Sequence, residues 1–159
     1  MSQQQQWQSA PQAPPGSYTS GASGPRAGFW IRFGAFLLDY LIYGIPAVIV
    51  FFVAAAISET LGVLAYILLI IGYFAYFTYF EGGPSGATPG KRICGIRVYD
   101  FRGGAGPIGY GRGFIRQVMK QVSGIPIYLG YLWMLWDREK QTWHDKVAGD
   151  VVVPRDQYR

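Results

Sequence analysis

Two long runs of the chain carry almost no charge. Between residues 33 and 57 the only ionisable side chain other than tyrosine is that of Asp39, and residues 61–80 contain none. An α-helix rises about 1.5 Å per residue, so roughly 20 apolar residues span the ~30 Å hydrocarbon core of a bilayer. Both runs meet that length, and they predict membrane spans at about 29–57 and 61–80.

The composition argues against the alternative, two helices buried inside a soluble protein. Only 14% of the residues are charged, whereas a soluble domain carries about a quarter. The chain therefore lacks the polar surface needed to enclose both helices in water. We predict an all-α membrane protein with two to three transmembrane helices, an amphipathic helix and a small cytoplasmic β element, with the lipid bilayer as its first partner.

The residues before the first span have a different character. Residues 1–25 are rich in Gln, Pro, Ser and Gly, and such a segment cannot bury enough apolar area to offset chain entropy. They also lack the basic start of a signal peptide. We expect a disordered tail at 1–25, a membrane domain at 26–154 and a short second tail at 155–159.

Basic residues flank the spans on one side only. Arg26 and Arg32 precede the first span, Lys91 and Arg92 follow the second, and the connector at 58–60 has none. The positive-inside rule then places the N-terminus and the chain after the second span in the cytoplasm. In that region, β-branched residues followed by a glycine-rich turn predict a β-hairpin at about 91–109, and a strand at about 148–154 that would pair with it.

The segment 111–136 is ambiguous. It begins with a pattern typical of an amphipathic helix at the membrane surface, with polar residues three or four apart: Arg112, Arg116, Lys120 and Ser123. After Pro126, the apolar residues 127–136 would extend about 15 Å as a helix. They fit a re-entrant hairpin, an interfacial segment or part of a third span. A third crossing would carry several basic residues outside, so we favour a cytoplasmic C-terminus.

The glycine-rich stretch "GGPSGATPGKR", Gly82–Arg92, invites comparison with a phosphate-binding loop. A Walker A loop reads G-x-x-x-x-G-K-[ST], and its last hydroxyl holds magnesium. Ser85 stands where the first glycine belongs, and Arg92 follows Lys91 in place of Ser or Thr. We therefore expect no nucleotide, and we interpret the glycines as the turn by which the chain leaves the membrane.

Asp39 lies about two turns inside the first apolar run, where a carboxylate costs roughly 2.5–3.5 kcal/mol on insertion scales. Pro46 cannot donate to the carbonyl of Ile42, which leaves that oxygen free near Asp39. A carboxylate beside a free carbonyl is typical of a cation or proton site. The alternative is a structural ion pair with a basic residue of the later segment, such as Arg112, Arg116 or Lys146.

Arg32 and the C-terminal segment have simpler interpretations. Arg32 shares a helix face with Asp39, but helical side chains lean toward the N-terminus, so it should point to the lipid head groups. The only histidine, His144, has no further metal ligand or nucleophile at useful spacing. We expect no metal, no cofactor and no enzymatic activity, and an interfacial turn anchored by Trp136 and Trp143 with its charges in solvent.

Three stretches together resemble the RDD family of small bacterial membrane proteins: "AGFWIRFGAFLLDYLI", "GATPGKRICGIRVYD" and "LWDREKQTWHDKVAGDVVV". The family is named for one arginine and two aspartates. The resemblance places the arginine at Arg32 and the aspartates at Asp39 and Asp145. Relatives tend to read Ala-Gly-Thr where this chain has Asp150. The resemblance implies a protein of the bacterial plasma membrane, with transport proposed and sodium/proton exchange suggested for some members.

Two functions follow from these residues. In the first, the protein is a transporter or cation/proton exchanger subunit in which Asp39 binds the ion, supported by Arg32 and Asp145. Because two spans cannot enclose a pathway, this function needs a homo-oligomer or a membrane partner. In the second, the protein is a non-transporting scaffold or accessory protein in which the three residues form a structural ion-pair network. No nucleic acid is expected as a partner.

Overall fold

The computed structural model describes residues 18–21, 24–102, 106–126 and 129–155. Its elements follow in this order: β1 (Tyr18–Gly21), β2 (Gly24–Ala27), α1 (Phe29–Asp39), a π-helical turn (Tyr40–Gly44), α2 (Ile45–Ile57), α3 (Glu59–Gly82), α4 (Pro89–Ile93), β3 (Ile96–Asp100), α5 (Tyr110–Gly124), α6 (Leu129–Leu132), a 3-10 turn (Trp133–Leu135), α7 (Trp143–Ala148) and β4 (Asp150–Pro154). The fold is mostly helical with a small antiparallel sheet, which confirms the predicted class.

Two apolar helices form a hairpin. The first runs continuously from Phe29 to Ile57 through the π-helical turn, and the second is α3; both are long and apolar enough to cross a membrane. Ser58 ends the first helix and caps the second, because its Oγ accepts a hydrogen bond from the backbone N–H of Leu61 at 3.1 Å. These helices correspond to the predicted spans at 29–57 and 61–80.

The π-helical turn changes what the first helix contacts. Its bonds reach one residue further than α-helical ones, as in the bond from the Ile45 N–H to the Tyr40 carbonyl, and Pro46 then enters α2 at its start. On the far side of the turn, α2 packs closely on α3, whereas α1 packs mainly on α4. The hairpin is therefore closed at its tip, and other elements fill the space beside α1.

The small sheet joins distant parts of the chain. β3 and β4 pair antiparallel, with Val98 opposite Val152, which confirms the predicted pairing of these two segments. The hairpin predicted at about 91–109 is wrong, because α4 occupies its first residues and the partner of β3 comes from the C-terminus. Thr88 starts α4 by accepting a hydrogen bond from the Lys91 N–H, and Pro89 fits its first turn.

The N-terminal prediction also needs a correction. Residues 18–21 and 24–27 form an antiparallel ribbon, although the sequence predicted disorder through residue 25. The ribbon is held because Arg26 is buried in an ion pair with Glu139, at 2.7 Å, and Ala27 is enclosed in the core beneath the sheet. Residues 1–17, 22–23 and 156–159, which hold the rest of both predicted tails, lie outside the described residues.

Helix α5 is amphipathic as predicted, but its polar face is buried in the protein instead of facing water. Its polar residues Arg116 and Gln117 are buried, at 2% and 0% exposure. Its apolar residues are exposed on the opposite face: Phe114, Ile115, Val118 and Val122. A face of this kind requires lipid or a partner to cover it, so the helix directs its charges inward and its apolar side chains outward.

The apolar segment after Pro126 does not form a third span. Its described part consists of α6 and the 3-10 turn, of four and three residues, whereas a span needs about 20 residues. Within the described residues, two helices are long enough to cross a membrane. The segment instead folds back on α5, where a Cβ on Gly130 would lie 2.7 Å from the Cβ of Ser123.

Candidate functional site

Charged side chains from six elements meet beside α1, between the hairpin and the sheet. All are buried or nearly so, and each sits in a position where an unpaired charge would be costly. Four are basic and four are acidic: Arg32, Lys91, Arg116 and Lys120, with Asp39, Glu81, Asp145 and Asp150. Their formal charges cancel, so the group as a whole is neutral when every member is ionised. We call these eight residues the charge network.

Arg116 lies at the centre of the charge network. Its Nε donates to Oε2 of Glu81 at 2.8 Å, and its Nη1 donates to Asp145 and, at 2.5 Å, to Oδ1 of Asp150. The guanidinium therefore links α3, α7 and β4 through one side chain on α5. The guanidinium holds its N–H donors in a fixed planar fork, so one Arg side chain can donate to several carboxylates at once, which the point charge of a Lys ammonium does less well.

Glu81 binds both lysines of the charge network. Its Oε1 accepts from the Nζ atoms of Lys91 at 2.5 Å and Lys120 at 2.7 Å, and its Oε2 accepts from Gln117 as well as Arg116. Glu81 lies in the last turn of α3, where the helix dipole disfavours a negative charge. An acid at the C-terminal end of an apolar helix is thus a sequence signal that it has basic partners elsewhere.

Arg32 joins the first span to the C-terminal segment. Its Nη1 donates to Oδ2 of Asp145 at 2.7 Å, while its Nε and Nη2 donate to the carbonyls of Ala27 and Lys140 at 3.0 and 2.8 Å. The prediction that Arg32 points to the lipid head groups is therefore wrong. Three fixed acceptors hold its guanidinium inside the protein.

Asp145 is fully buried, so the prediction of a solvated turn around it is also wrong. It belongs to a capping box at the start of α7: its carboxylate accepts from the Thr142 N–H at 3.0 Å, and the Thr142 hydroxyl accepts from the Asp145 N–H. The box orients the carboxylate toward both Arg32 and Arg116. Local helix capping thus places the acid that ties the two arginines together.

Asp39 is bound by the start of α4 and not by a basic side chain. Its Oδ2 accepts from the Thr88 hydroxyl at 2.5 Å, and its Oδ1 accepts from the Gly90 N–H at 2.8 Å. The contact needs glycine, because a Cβ at position 90 would lie 2.4 Å from the carbonyl oxygen of Ala35. The stretch that resembles a phosphate loop therefore binds the carboxylate of this chain's own aspartate.

The ion pair predicted for Asp39 is accordingly wrong. None of the three proposed bases, Arg112, Arg116 and Lys146, bonds to it within the described residues. Arg112 pairs with Asp100 at 2.7 Å, and Lys146 pairs with Asp137 near the surface. Asp39 is stabilised by neutral donors instead, which suffices for a carboxylate when both oxygens are engaged.

The charges of the network perturb one another. Burial alone would raise the pKa of Asp145, but Arg116 and Arg32 hold it well below its usual range. Burial, opposed by Arg116, raises the pKa of Asp150 to about 8. The two acids share one guanidinium nitrogen of Arg116. When two like charges share a site, their pKa values move apart in this way. Burial also lowers the pKa of His144 well below its ordinary value, so its ring is neutral.

A cavity of about 470 Å³ opens beside the charge network. Its walls are apolar and come from α1, α3 and the α6 region, for example Phe33, Tyr73 and Leu132, and its floor is polar. Six members of the network line that floor: Arg32, Asp39, Glu81, Lys91, Arg116 and Lys120. The described residues contain no group of three or more His, Cys, Asp or Glu side chains placed to hold a metal ion.

Comparison with known proteins identifies the chain. The model of the RDD family matches residues 26–149. The chain belongs to the RDD family. The resemblance singled out Arg32, Asp39 and Asp145. In this RDD protein Arg32 and Asp145 form an ion pair, and Asp39 is bound at the start of α4.

Relatives of this RDD protein include proteins of Bacillus subtilis and Mycobacterium tuberculosis. It is 30% identical over 144 residues to the uncharacterized membrane protein YteJ of Bacillus subtilis, with 84% of each chain covered. It is 30% identical to YxaI of the same organism over 80% of this chain and 96% of that protein. The proline-rich antigen homolog of Mycobacterium tuberculosis is 34% identical over 97 residues, and the match spans only 40% of its length. No solved structure matches the chain.

Proposed function

We propose that this RDD protein is a non-transporting membrane scaffold or accessory protein, in which Arg32, Asp39 and Asp145 lock a cap onto a two-span hairpin. The cap comprises α4–α7 and β2–β4. The observation that carries the proposal is that all three residues are already bound: Asp39 holds the start of α4, and Arg32 holds α7 through Asp145. The proposal gives the protein no catalytic activity.

The lock works because each contact bridges a long stretch of sequence. Arg32 and Asp145 are 113 residues apart, and Asp39 and Gly90 are 51 apart. Each charge is buried, so releasing the cap would leave an unpaired charge in a medium of low dielectric constant, which costs several kcal/mol. The apolar face of α5 then lies toward lipid, a homo-oligomer neighbour or a membrane partner.

The proposal includes a topology. A multi-pass protein of the bacterial plasma membrane with both termini in the cytoplasm agrees with basic residues before and after the spans and none at 58–60. The pairing of β3 with β4 also requires both strands on one side. Labelling the single Cys94 with impermeant thiol reagents in right-side-out and inside-out vesicles tests this. Reaction from the outside alone would overturn the orientation.

A second candidate function is a cation or proton exchanger subunit. It is favoured by one observation: the acidic residues Asp39 and Glu81 both line the cavity. Since two spans enclose no pathway, a second copy or a partner would have to complete it.

One experiment separates the two functions. Purified protein in sealed vesicles is given a sodium or pH gradient, and flux is measured for the natural chain and Asp39→Asn. The scaffold proposal expects no flux above empty vesicles, and a lower melting temperature for Asp39→Asn. Gradient-driven flux that Asp39→Asn abolishes, with melting temperature and oligomer size unchanged, would establish the exchanger instead.

A further inference from the structure

The cavity beside the charge network has two unlike surfaces. Its outer walls are aromatic, and Phe33 and Phe36 stand on the first turns of the membrane span with 44% and 55% of their surface exposed. Exposed side chains on a span face lipid. The cavity is therefore bordered by exposed aromatic side chains within about two turns of the start of the first apolar helix.

The floor of the cavity is positive. Among the described residues that line it, four are cationic and two are carboxylates, so the lining carries two net positive charges. The acids that balance the network, Asp145 and Asp150, do not line the cavity. His144 lines it as a neutral ring. An anion that entered the cavity would thus meet an excess of cations.

The floor also has hydrogen-bond donors to spare. The ammonium groups of Lys91 and Lys120 both donate to one oxygen, Oε1 of Glu81, at 2.5 and 2.7 Å. Each ammonium has three N–H groups, and within the described residues neither nitrogen makes a second hydrogen bond. The Nζ of Lys120 also lies over the Phe77 ring, 5.1 Å from its centroid. The spare N–H groups are therefore those of Lys91 and those of Lys120 that point away from the ring, and buried donors of this kind normally have partners.

A single ligand class satisfies all three features. Phosphate oxygens accept from several ammonium groups at once, and basic pockets between membrane helices bind anionic head groups. The volume of about 470 Å³ lies in the ~300–1,000 Å³ range of small-molecule sites. We propose that the cavity binds one anionic phospholipid from the surrounding bilayer, with its phosphate between Lys91 and Lys120 and an acyl chain along Phe33 and Phe36.

The test uses the full chain in nanodiscs of phosphatidylcholine with and without phosphatidylglycerol, and native mass spectrometry counts the lipids retained. Lys91→Gln/Lys120→Gln replaces both ammonium groups by neutral amides. Lys140→Gln/Lys146→Gln removes the same charge from residues that do not line the cavity and is the matched control. We expect the natural chain and the control to retain one phosphatidylglycerol in preference to phosphatidylcholine. The cavity variant should retain it at least about tenfold less, the loss of one charge-assisted hydrogen bond.

A second variant keeps the test decisive if the lysine variant misfolds. Leu132→Trp narrows the cavity and leaves every charge in place, so it should also reduce phosphatidylglycerol retention. Equal retention of both lipids by the natural chain, or equal losses in the cavity and control variants, would overturn the proposal. So would competition by inorganic phosphate at low concentration, which would indicate a free anion as the ligand.

The lipid proposal and the locked cap can be tested separately, although Arg32 and Asp39 belong to both sites. Melting temperatures in phosphatidylcholine alone report on the contacts of Arg32, Asp39 and Asp145, with no anionic lipid present. Loss of lipid preference with those contacts intact removes only the lipid proposal. Conversely, a variant without the Arg32–Asp145 ion pair that keeps its melting temperature and still retains phosphatidylglycerol would contradict only the scaffold proposal.

Discussion

Replacing Asp145 by Asn tests whether the charge network holds the cap in place. The Asp145 carboxylate is fully buried and accepts from Arg32, Arg116 and the Thr142 N–H. Asn keeps the shape but removes the charge, and its amide N–H₂ then faces a guanidinium. Two buried cations lose their shared anion, which is the situation in which breaking a buried ion pair is most destabilising.

The expected loss in the free energy of unfolding depends on which partners Arg32 and Arg116 retain in Asp145→Asn. Removing one partner of a buried pair costs about 3–5 kcal/mol. Arg116 retains Glu81, and Arg32 retains two backbone carbonyls, so we expect the lower end, about 3 kcal/mol. Arg32→Gln should cost less, about 2 kcal/mol, because Asp145 keeps Arg116 and its capping box.

The assay is reversible chemical unfolding in mixed micelles, followed by tryptophan fluorescence, on both single variants and the double variant. Because the residues contact each other, the double variant should lose less than the sum, by about 1–2 kcal/mol. Lys146→Gln, which breaks an exposed pair, is the control and should stay within about 0.5 kcal/mol of the natural chain. An Asp145→Asn protein as stable as this control, or strictly additive losses, would refute the reasoning.

Three further predictions concern the same site. Gly90→Ala should lower the free energy of unfolding by about 3 kcal/mol through overpacking, whereas Gly111→Ala, where a Cβ meets nothing within 4 Å, should be neutral or stabilising. Asp39→Asn should lower the free energy of unfolding by about 1–3 kcal/mol in the same assay, because an amide N–H₂ then takes the place of one of the two oxygens that accept from Thr88 and Gly90. An unchanged unfolding midpoint would contradict the proposal that Asp39 holds the start of α4. Asp150 holds its proton up to about pH 8 in the folded chain but releases it near pH 4 in the unfolded chain. The free energy of unfolding should therefore fall between about pH 6.5 and 8, by at most about 2 kcal/mol. Below about pH 6.5 the protonation of His144 in the unfolded chain opposes this fall, and Asp150→Asn should abolish the pH dependence between about pH 6.5 and 8.

Much of the membrane part could be predicted from the sequence, because the signal there is local. A run of about 20 apolar residues requires lipid whatever surrounds it, and the two helices coincide with those runs. The strands at 96–100 and 150–154 could also be anticipated from β-branched residues. The resemblance to the RDD family selected Arg32, Asp39 and Asp145, all of which are buried or nearly buried at the site.

The partners of these residues could not be predicted in the same way. Asp39 was expected to bind an ion or a base, but a hydroxyl and a backbone N–H bind it. Helix α5 was expected to turn its basic face to water, but three acids from other elements draw that face inward: Glu81, Asp145 and Asp150. Helical periodicity shows that a face is polar and does not show what lies opposite it.

The sequence by itself determined the two long apolar helices of this membrane protein, because hydrophobic length and the absence of charge act residue by residue along each helix. Only the tertiary structure decided where the charges lie. Arg116 meets acids 29 to 35 residues away, and Arg32 meets one 113 residues away. Contacts over such separations depend on how the π-helical turn, the cap and the sheet bring the elements together, and no local pattern encodes them.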